Sequence, residues 1–121
     1  MTSPNPNPAR FTIELETRPA GPDSVMVAHC HGLLVAGVTD ALQDQVKPLL
    51  AVHKHVILDL TELTRLDSMG LGSIVSLAVS AKRAGCQFEL VNLGKQVRQL
   101  FSITNLFTLF EAAGDNTFRI I

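Results

Sequence analysis

The stretch HVILDLTELTRLDSMGLGSIVSLAVSAKRAG, residues 55–85, contains a strand, a turn and a helix in immediate succession. Its first six residues, HVILDL, form a nearly continuous apolar run, which is typical of a central strand covered on both faces. Leu71, Ile74, Val75, Ala78 and Lys82 then recur at helical spacing, which predicts that they share the inner face of a helix. Gly85 suits the end of that helix, because glycine readily adopts the left-handed conformation found there.

The residues before this stretch predict a hairpin and a further helix. FTIELET, residues 11–17, alternates apolar and polar side chains as a half-buried strand does. VMVAHCH, residues 25–31, predicts a second strand that Gly32 ends, and the two strands pair through a long loop. From Thr39, the expected N-cap, the pattern predicts a helix that Pro48 kinks or interrupts.

The residues after it repeat the alternation of strand and helix. QFELVNL predicts a strand, GKQVRQLFSIT a helix with Val97, Leu100 and Phe101 facing inward, and LFTLF at residues 106–110 a last strand. This order predicts an α/β fold with a mostly parallel mixed sheet of about four to five strands, with helices packed on it. Alternating Pro and Asn predict a disordered tail over residues 1–10, which leaves one domain over residues 11–121.

Composition and charge exclude several classes of protein. The 121 residues are 46% hydrophobic and 17% charged, which indicates a globular chain rather than a disordered one. The net charge is −1 and the ten basic residues are scattered, so the sequence shows no footprint for nucleic acid or an anionic membrane. No apolar run approaches the roughly 20 residues of a membrane helix. Two distant cysteines and no visible signal peptide predict a cytoplasmic protein with reduced thiols.

Motifs for catalysis and nucleotide binding are incomplete. A nucleophile elbow needs Gly two residues before its serine, and Leu66 occupies that place before Ser68. Gly94-Lys95 lacks the earlier glycine of a phosphate loop, and the Gly70-Leu71-Gly72 stretch lacks the third glycine of a dinucleotide fingerprint. The sequence therefore predicts neither an enzyme nor a cofactor.

Two histidine pairs are the candidates for a metal site. His29 and His31 flank Cys30, and His53 and His55 flank a lysine, so each pair can project two imidazoles to one side of an extended segment. No carboxylate or thiol at ligand spacing accompanies either pair. A polar sheet face and a solvated loop are the simpler interpretation, and we expect no metal site.

The pair Asp67-Ser68 allows three roles for the serine. Either side chain can accept a hydrogen bond from the free amides at the start of the helix, so Ser68 can be a helix cap. It can also be a nucleophile, or a serine that another protein modifies. A phosphate there would add about −1.5 to −2 charges beside Asp67, partly offset by the positive end of the helix dipole. The fold would tolerate that group, whereas a docked partner surface would not.

A set of features between residues 56 and 110 occurs together in one known family. They are a strand ending in Asp59, the motif Asp67-Ser68-x-Gly70-Leu71-Gly72, Gly85 before the next strand, Val97-Arg98 in the following helix and Leu106-Phe107 after it. This segment resembles the STAS domain of bacterial anti-sigma factor antagonists. The first half of the chain matches only in the order of its elements. The resemblance implies a single STAS domain over residues 11–121.

The resemblance also implies a binding protein with a covalent switch that acts in transcription regulation. In this family the serine after the aspartate, Ser68 here, is phosphorylated by a GHKL-type serine kinase that is also the anti-sigma factor. The unmodified antagonist binds that kinase and the sigma factor is released, and a phosphatase would reset the serine. Partner-binding residues would be Asp67, Met69, Gly70, Leu71 and Gly72, with the two glycines letting a partner backbone approach closely.

One segment departs from the family pattern. Members commonly carry Gly-Glu-x-Asp after the second strand, whereas this chain has GLLV, so Leu33 and Val35 replace the two acids. We expect both residues to form an apolar partner contact or to seal a homodimer. The departure also supports an alternative function, a non-switching STAS interaction module of a lipid transporter or of a sensory, stressosome-like assembly.

Overall fold

Strands and helices alternate after an initial pair of strands in the computed structural model, which describes residues 10–20, 23–103 and 118–120. In chain order the elements are β1 (Thr12–Ala20), β2 (Asp23–Leu34), α1 (Thr39–Val52), β3 (His55–Leu66), α2 (Ser68–Ala84), β4 (Gln87–Val91), α3 (Lys95–Ile103) and β5 (Phe118–Ile120). The α/β class is therefore confirmed.

The strands form one mixed sheet in the order β1-β2-β3-β4-β5. β1 and β2 are antiparallel, and each later pair is parallel. β3 lies at the centre, as the sequence predicts. Parallel neighbours need crossover connections, and α1 and α2 provide those on either side of β3.

Apolar side chains from the strands and helices meet in one core. Along the first half of β3, Val56, Leu58 and Leu60 are buried, whereas the intervening Ile57 and Asp59 are only half-buried. The two faces of this strand are therefore covered to different extents, and the face that carries Val56 is the more deeply buried one. The largest fully buried side chains include Phe88, Phe101, Leu34, Leu42 and Leu77. Each such side chain contributes about 1.5–3 kcal/mol through removal of its apolar surface from water.

α2 ends as predicted, at Gly85, whose φ of 71° is left-handed and whose amide bonds the carbonyls of the last turn. Its buried face is rotated relative to the prediction. Val75 is half-buried and Lys82 is exposed, whereas Leu77 and Ala81 are fully buried. The side chains of α2 that face the core are Leu71, Ser73, Ile74, Leu77, Ala78 and Ala81.

Several boundaries differ from the prediction. β1 and β2 extend to Ala20 and Asp23, where a long loop was expected, and β3 continues to Leu66. β2 continues through Gly32 to Leu34, and Gly32 takes a φ of 90° where the register with β3 is irregular. The N-cap of α1 is Val38, which makes no side-chain capping bond, so Thr39 is the first helical residue instead. α1 continues through Pro48 to Val52 without interruption.

The last part of the chain is described only in short pieces. In α3, Val97 and Phe101 are buried and Leu100 is half-buried, as predicted. The predicted strand at residues 106–110 and the predicted tail at residues 1–9 lie outside the described residues. β5, which the sequence did not predict, pairs with β4.

None of the helices within the described ranges is long and apolar enough to span a membrane.

Candidate functional site

Asp67 caps α2 and also holds a neighbouring loop. One carboxylate oxygen accepts the amide proton of Gly70 at 2.8 Å, and the other accepts that of Ala36 at 2.9 Å. Both hydrogen bonds hold the pKa of Asp67 below its ordinary value, and the bond from Gly70 has the larger effect. The capping role therefore belongs to Asp67 and not to Ser68.

Ser68 is the first residue of α2 and is exposed. Among the described residues its hydroxyl has no hydrogen-bond partner, and therefore none of them is a base positioned to activate it as a nucleophile. Met69, the next residue, is 59% exposed. The start of α2 thus presents an exposed hydroxyl beside an exposed, flexible apolar side chain.

Gly70 serves packing within the chain. A Cβ built on it would lie 2.1 Å from the carbonyl oxygen of Leu34 and 2.8 Å from Cδ1 of Leu66, so only glycine lets α2 approach the end of β2 this closely. Leu71 is 4% exposed and belongs to the core. The expectation that Gly70 and Leu71 face a partner is therefore wrong. Gly72 is exposed, with open space where a Cβ would stand.

The structure brings the GLLV segment to the start of α2. Leu33 and Val35 are half-buried, and Leu33 lies opposite Arg65 in the sheet. The hydrogen bond from Ala36 to Asp67 fixes the end of this segment next to Ser68. The GLLV segment and the start of α2, which the sequence predicts to form a partner surface, are therefore neighbours.

A second polar cluster, which the sequence analysis missed, surrounds His29. Its Nδ1 lies 2.8 Å from an oxygen of Asp59 and its Nε2 lies 2.7 Å from an oxygen of Glu16. The other oxygen of Asp59 accepts hydrogen bonds from Thr61 and Asn92. Partial burial raises the pKa of Asp59, but these hydrogen bonds outweigh it and hold the pKa well below its ordinary value. Only the pairing register brings these residues together.

The histidines do not form a metal site in the described part of the chain. Cys30 is buried and its pKa is raised to about 12 by burial, so it stays a neutral thiol. His55 pairs with the buried Glu89, while Nε2 of His31 is buried without a partner among the described residues. Within the described ranges, no three His, Cys, Asp or Glu side chains are arranged to hold a metal ion.

Comparisons with known proteins agree with this architecture. A sequence profile of the STAS domain matches residues 17–119, and the chain belongs to the STAS domain family. Its fold is similar to that of an anti-sigma factor antagonist from Mycobacterium paratuberculosis, with a TM-score of 0.70, 20% identity and 85% of each chain covered.

Two further structures show how widely this fold is used. The phosphorylated form of the Bacillus cell fate determinant SpoIIAA gives a TM-score of 0.61 at 16% identity, with 80% of this chain and 86% of that chain covered. A sulfate transporter family protein from Wolinella succinogenes gives a TM-score of 0.63 at 20% identity, with 86% and 80% covered. At these identities the likeness concerns the fold.

Proposed function

We propose that this STAS domain is a bacterial anti-sigma factor antagonist controlled at Ser68. The unmodified protein binds a GHKL-type serine kinase that acts as the anti-sigma factor and thereby frees the sigma factor for transcription. Phosphorylation of Ser68 by that kinase ends the interaction in the cytoplasm, and a phosphatase restores it. The observation that carries this proposal is the division of roles in which Asp67 caps the helix and leaves the Ser68 hydroxyl exposed.

The surroundings of Ser68 explain how a phosphate would act on binding and not on folding. A phosphoserine at the first helical position lies at the positive end of the helix dipole, which offsets part of its charge. The exposed Met69 and the half-buried Leu33 and Val35 make the adjacent surface apolar. A phosphate dianion, next to the carboxylate of Asp67, would have to be desolvated when a partner covers that surface, and the cost is large.

Similarity to anti-sigma factor antagonists supports the proposal, and SpoIIAA exists in a phosphorylated form. In this chain the corresponding partner surface consists of Asp67, Ser68, Met69 and Gly72, joined by Leu33 and Val35. Its apolar character indicates a kinase whose contact surface is apolar at the same place.

Variants at Ser68 test this proposal. The unmodified protein and Ser68→Ala should capture the kinase from a native lysate, whereas Ser68→Asp should not. Ser76→Asp is the matched control, because Ser76 is exposed on the same helix, and it should still capture the kinase. Intact mass of the endogenous protein should show one added phosphate that Ser68→Ala lacks. Equal capture by Ser68→Asp and Ser76→Asp would contradict the switch.

The apolar segment at Leu33 and Val35 favours one alternative, a non-switching module in a transporter or a sensory assembly. In that case transporter or assembly subunits would be captured equally by all Ser68 variants, and the endogenous protein would carry no phosphate. Leu33→Glu should abolish capture under either function, because a charge would be buried in an apolar contact.

A further inference from the structure

The two contacts of His29 define its charge. A carboxylate at neutral pH only accepts hydrogen bonds, so each ring nitrogen that contacts one must carry a proton. Nδ1 contacts Asp59 at 2.8 Å and Nε2 contacts Glu16 at 2.7 Å. Both contacts are hydrogen bonds at once only if His29 is a cationic imidazolium.

These contacts connect three strands. Glu16 lies on β1 at the edge of the sheet, His29 on β2 and Asp59 on the central strand β3. Each side chain therefore reaches across a boundary between two strands. We call Glu16, His29 and Asp59 the three-strand clasp.

The two ends of the clasp differ in rigidity. Asp59 accepts hydrogen bonds from Thr61 and from the side chain of Asn92, which fix its position. The backbone of Asn92 has a left-handed φ of 61°. Glu16 is exposed on the edge strand and shares its carboxylate with Arg18. When the clasp opens, the contact between His29 and Glu16 breaks before the contact between His29 and Asp59.

We propose that the three-strand clasp makes the attachment of β1 to the sheet depend on pH. It holds β1 on the sheet while both ring nitrogens of His29 carry a proton, and it lets β1 open when His29 loses one of them. A neutral imidazole keeps a single N–H, which can donate to only one carboxylate. Asp59 keeps it because its position is fixed, and Glu16 loses its bond. β1 then opens locally, and the parallel part of the sheet stays folded.

The charges around His29 agree with this direction. The hydrogen bond to Glu16 has the largest effect on the pKa of His29 and raises it above its ordinary 6.5. The interaction with Asp59 also raises this pKa, whereas partial burial lowers it. Glu14 and Glu62 line the same small cavity as His29 and also favour the cation, while His31 adds a second imidazole there. Arg18 opposes the cation, but Glu16 neutralises it. The clasp is therefore closed below the raised pKa of His29 and opens as the pH rises through it.

Amide hydrogen exchange with imidazole titration by NMR tests this proposal. As the pH passes the His29 transition, the protection factors of β1 should fall about fivefold while those of β4 stay constant, because the clasp loses one charge-assisted hydrogen bond. Glu16→Gln should lower protection of β1 already below the pH of the His29 transition and remove its dependence on His29. Glu14→Gln, the matched control on the same strand, should retain both.

Two results would overturn the proposal. One is a ¹⁵N spectrum near pH 6 in which His29 carries a proton on only one ring nitrogen, which is independent of any variant. The other is equal protection of β1 in Glu16→Gln and Glu14→Gln across the whole pH range. Neither result depends on the phosphorylation of Ser68.

Discussion

The carbonyl oxygen of Leu34 lies so close to Gly70 that a Cβ on Gly70 would be only 2.1 Å away from it. This contact joins the end of β2 to the first turn of α2, and the two bonds of Asp67 reinforce it. The segment that carries Leu33 and the helix that carries Ser68 are therefore held as one unit.

Gly70→Ala should destabilise the protein by about 2–3 kcal/mol, because backbone must shift to admit the methyl group. Gly72→Ala is the matched control on the same helix, where a Cβ meets open space. It should stabilise the protein by about 0.5–1 kcal/mol, since alanine is the better helix former. Urea unfolding monitored by circular dichroism measures both, and equal stability of the two variants would contradict this packing.

Asp67→Ala should lower the melting temperature, because the amides of Gly70 and Ala36 both lose their acceptor. Asp67→Asn should retain part of the stability through its one carbonyl oxygen. Differential scanning calorimetry separates the three proteins. A melting temperature for Asp67→Ala equal to that of the wild type would show that neither bond stabilises the fold.

The side-chain amide of Gln43 links α1 to α2 by donating to both the backbone oxygen and the hydroxyl of Ser73. Gln43→Ala should cost about 1–1.5 kcal/mol, because two acceptors in a part-buried place lose their donor. Ser73→Ala should cost less, since the backbone acceptor remains. Chemical unfolding of the single and double variants tests this order, and a larger loss in Ser73→Ala would reverse it.

Pro48 lies on the exposed side of α1 and removes one hydrogen bond from the helix. Pro48→Ala should stabilise the protein by about 1–2 kcal/mol, because the regained bond exceeds the added entropy of the unfolded chain. Lys47→Ala, at the neighbouring exposed position, is the control and should change stability little. Unfolding in urea would contradict the prediction if both variants were equally stable.

Acid should weaken the fold through Asp59 and Asp67. Both have a folded-state pKa below the ordinary 3.8, so their stabilisation is complete above that pH and is lost as the pH falls below it toward the folded values. Asp59→Asn should flatten this part of the curve. Urea midpoints from pH 2.5 to pH 6 provide the test, and an unchanged slope in Asp59→Asn would assign the acid sensitivity to other groups.

The sequence predicted the elements that local patterns control. The strand β3, the helix α2 and its end at Gly85 depend on neighbours within a few residues, and all three were found, although β3 is longer than expected and the buried face of α2 is rotated. The continuation of β2 past Gly32 depends on pairing with a distant strand, so no local signal predicts it. The same holds for β5.

The candidate site shows the same division. The sequence located it at Asp67-Ser68 but left the cap open, because both side chains can accept the bond. The amide of Gly70 settles that choice by donating to Asp67, and the amide of Ala36, 31 residues away, donates to the other oxygen of the same carboxylate. The His29 cluster stayed hidden because it requires the register that places Glu14 opposite His29 and His29 opposite Asp59.

The complete burial of Cys30 makes its sulfur a reporter of opening. A thiol reagent reacts with a thiolate, and this one is both shielded from solvent and shifted to a pKa of about 12. It lies on β2, between the edge strand and the central strand, so labelling requires that this part of the sheet separate. The rate of Cys30 alkylation in the native protein therefore measures how often the sheet opens locally around β2.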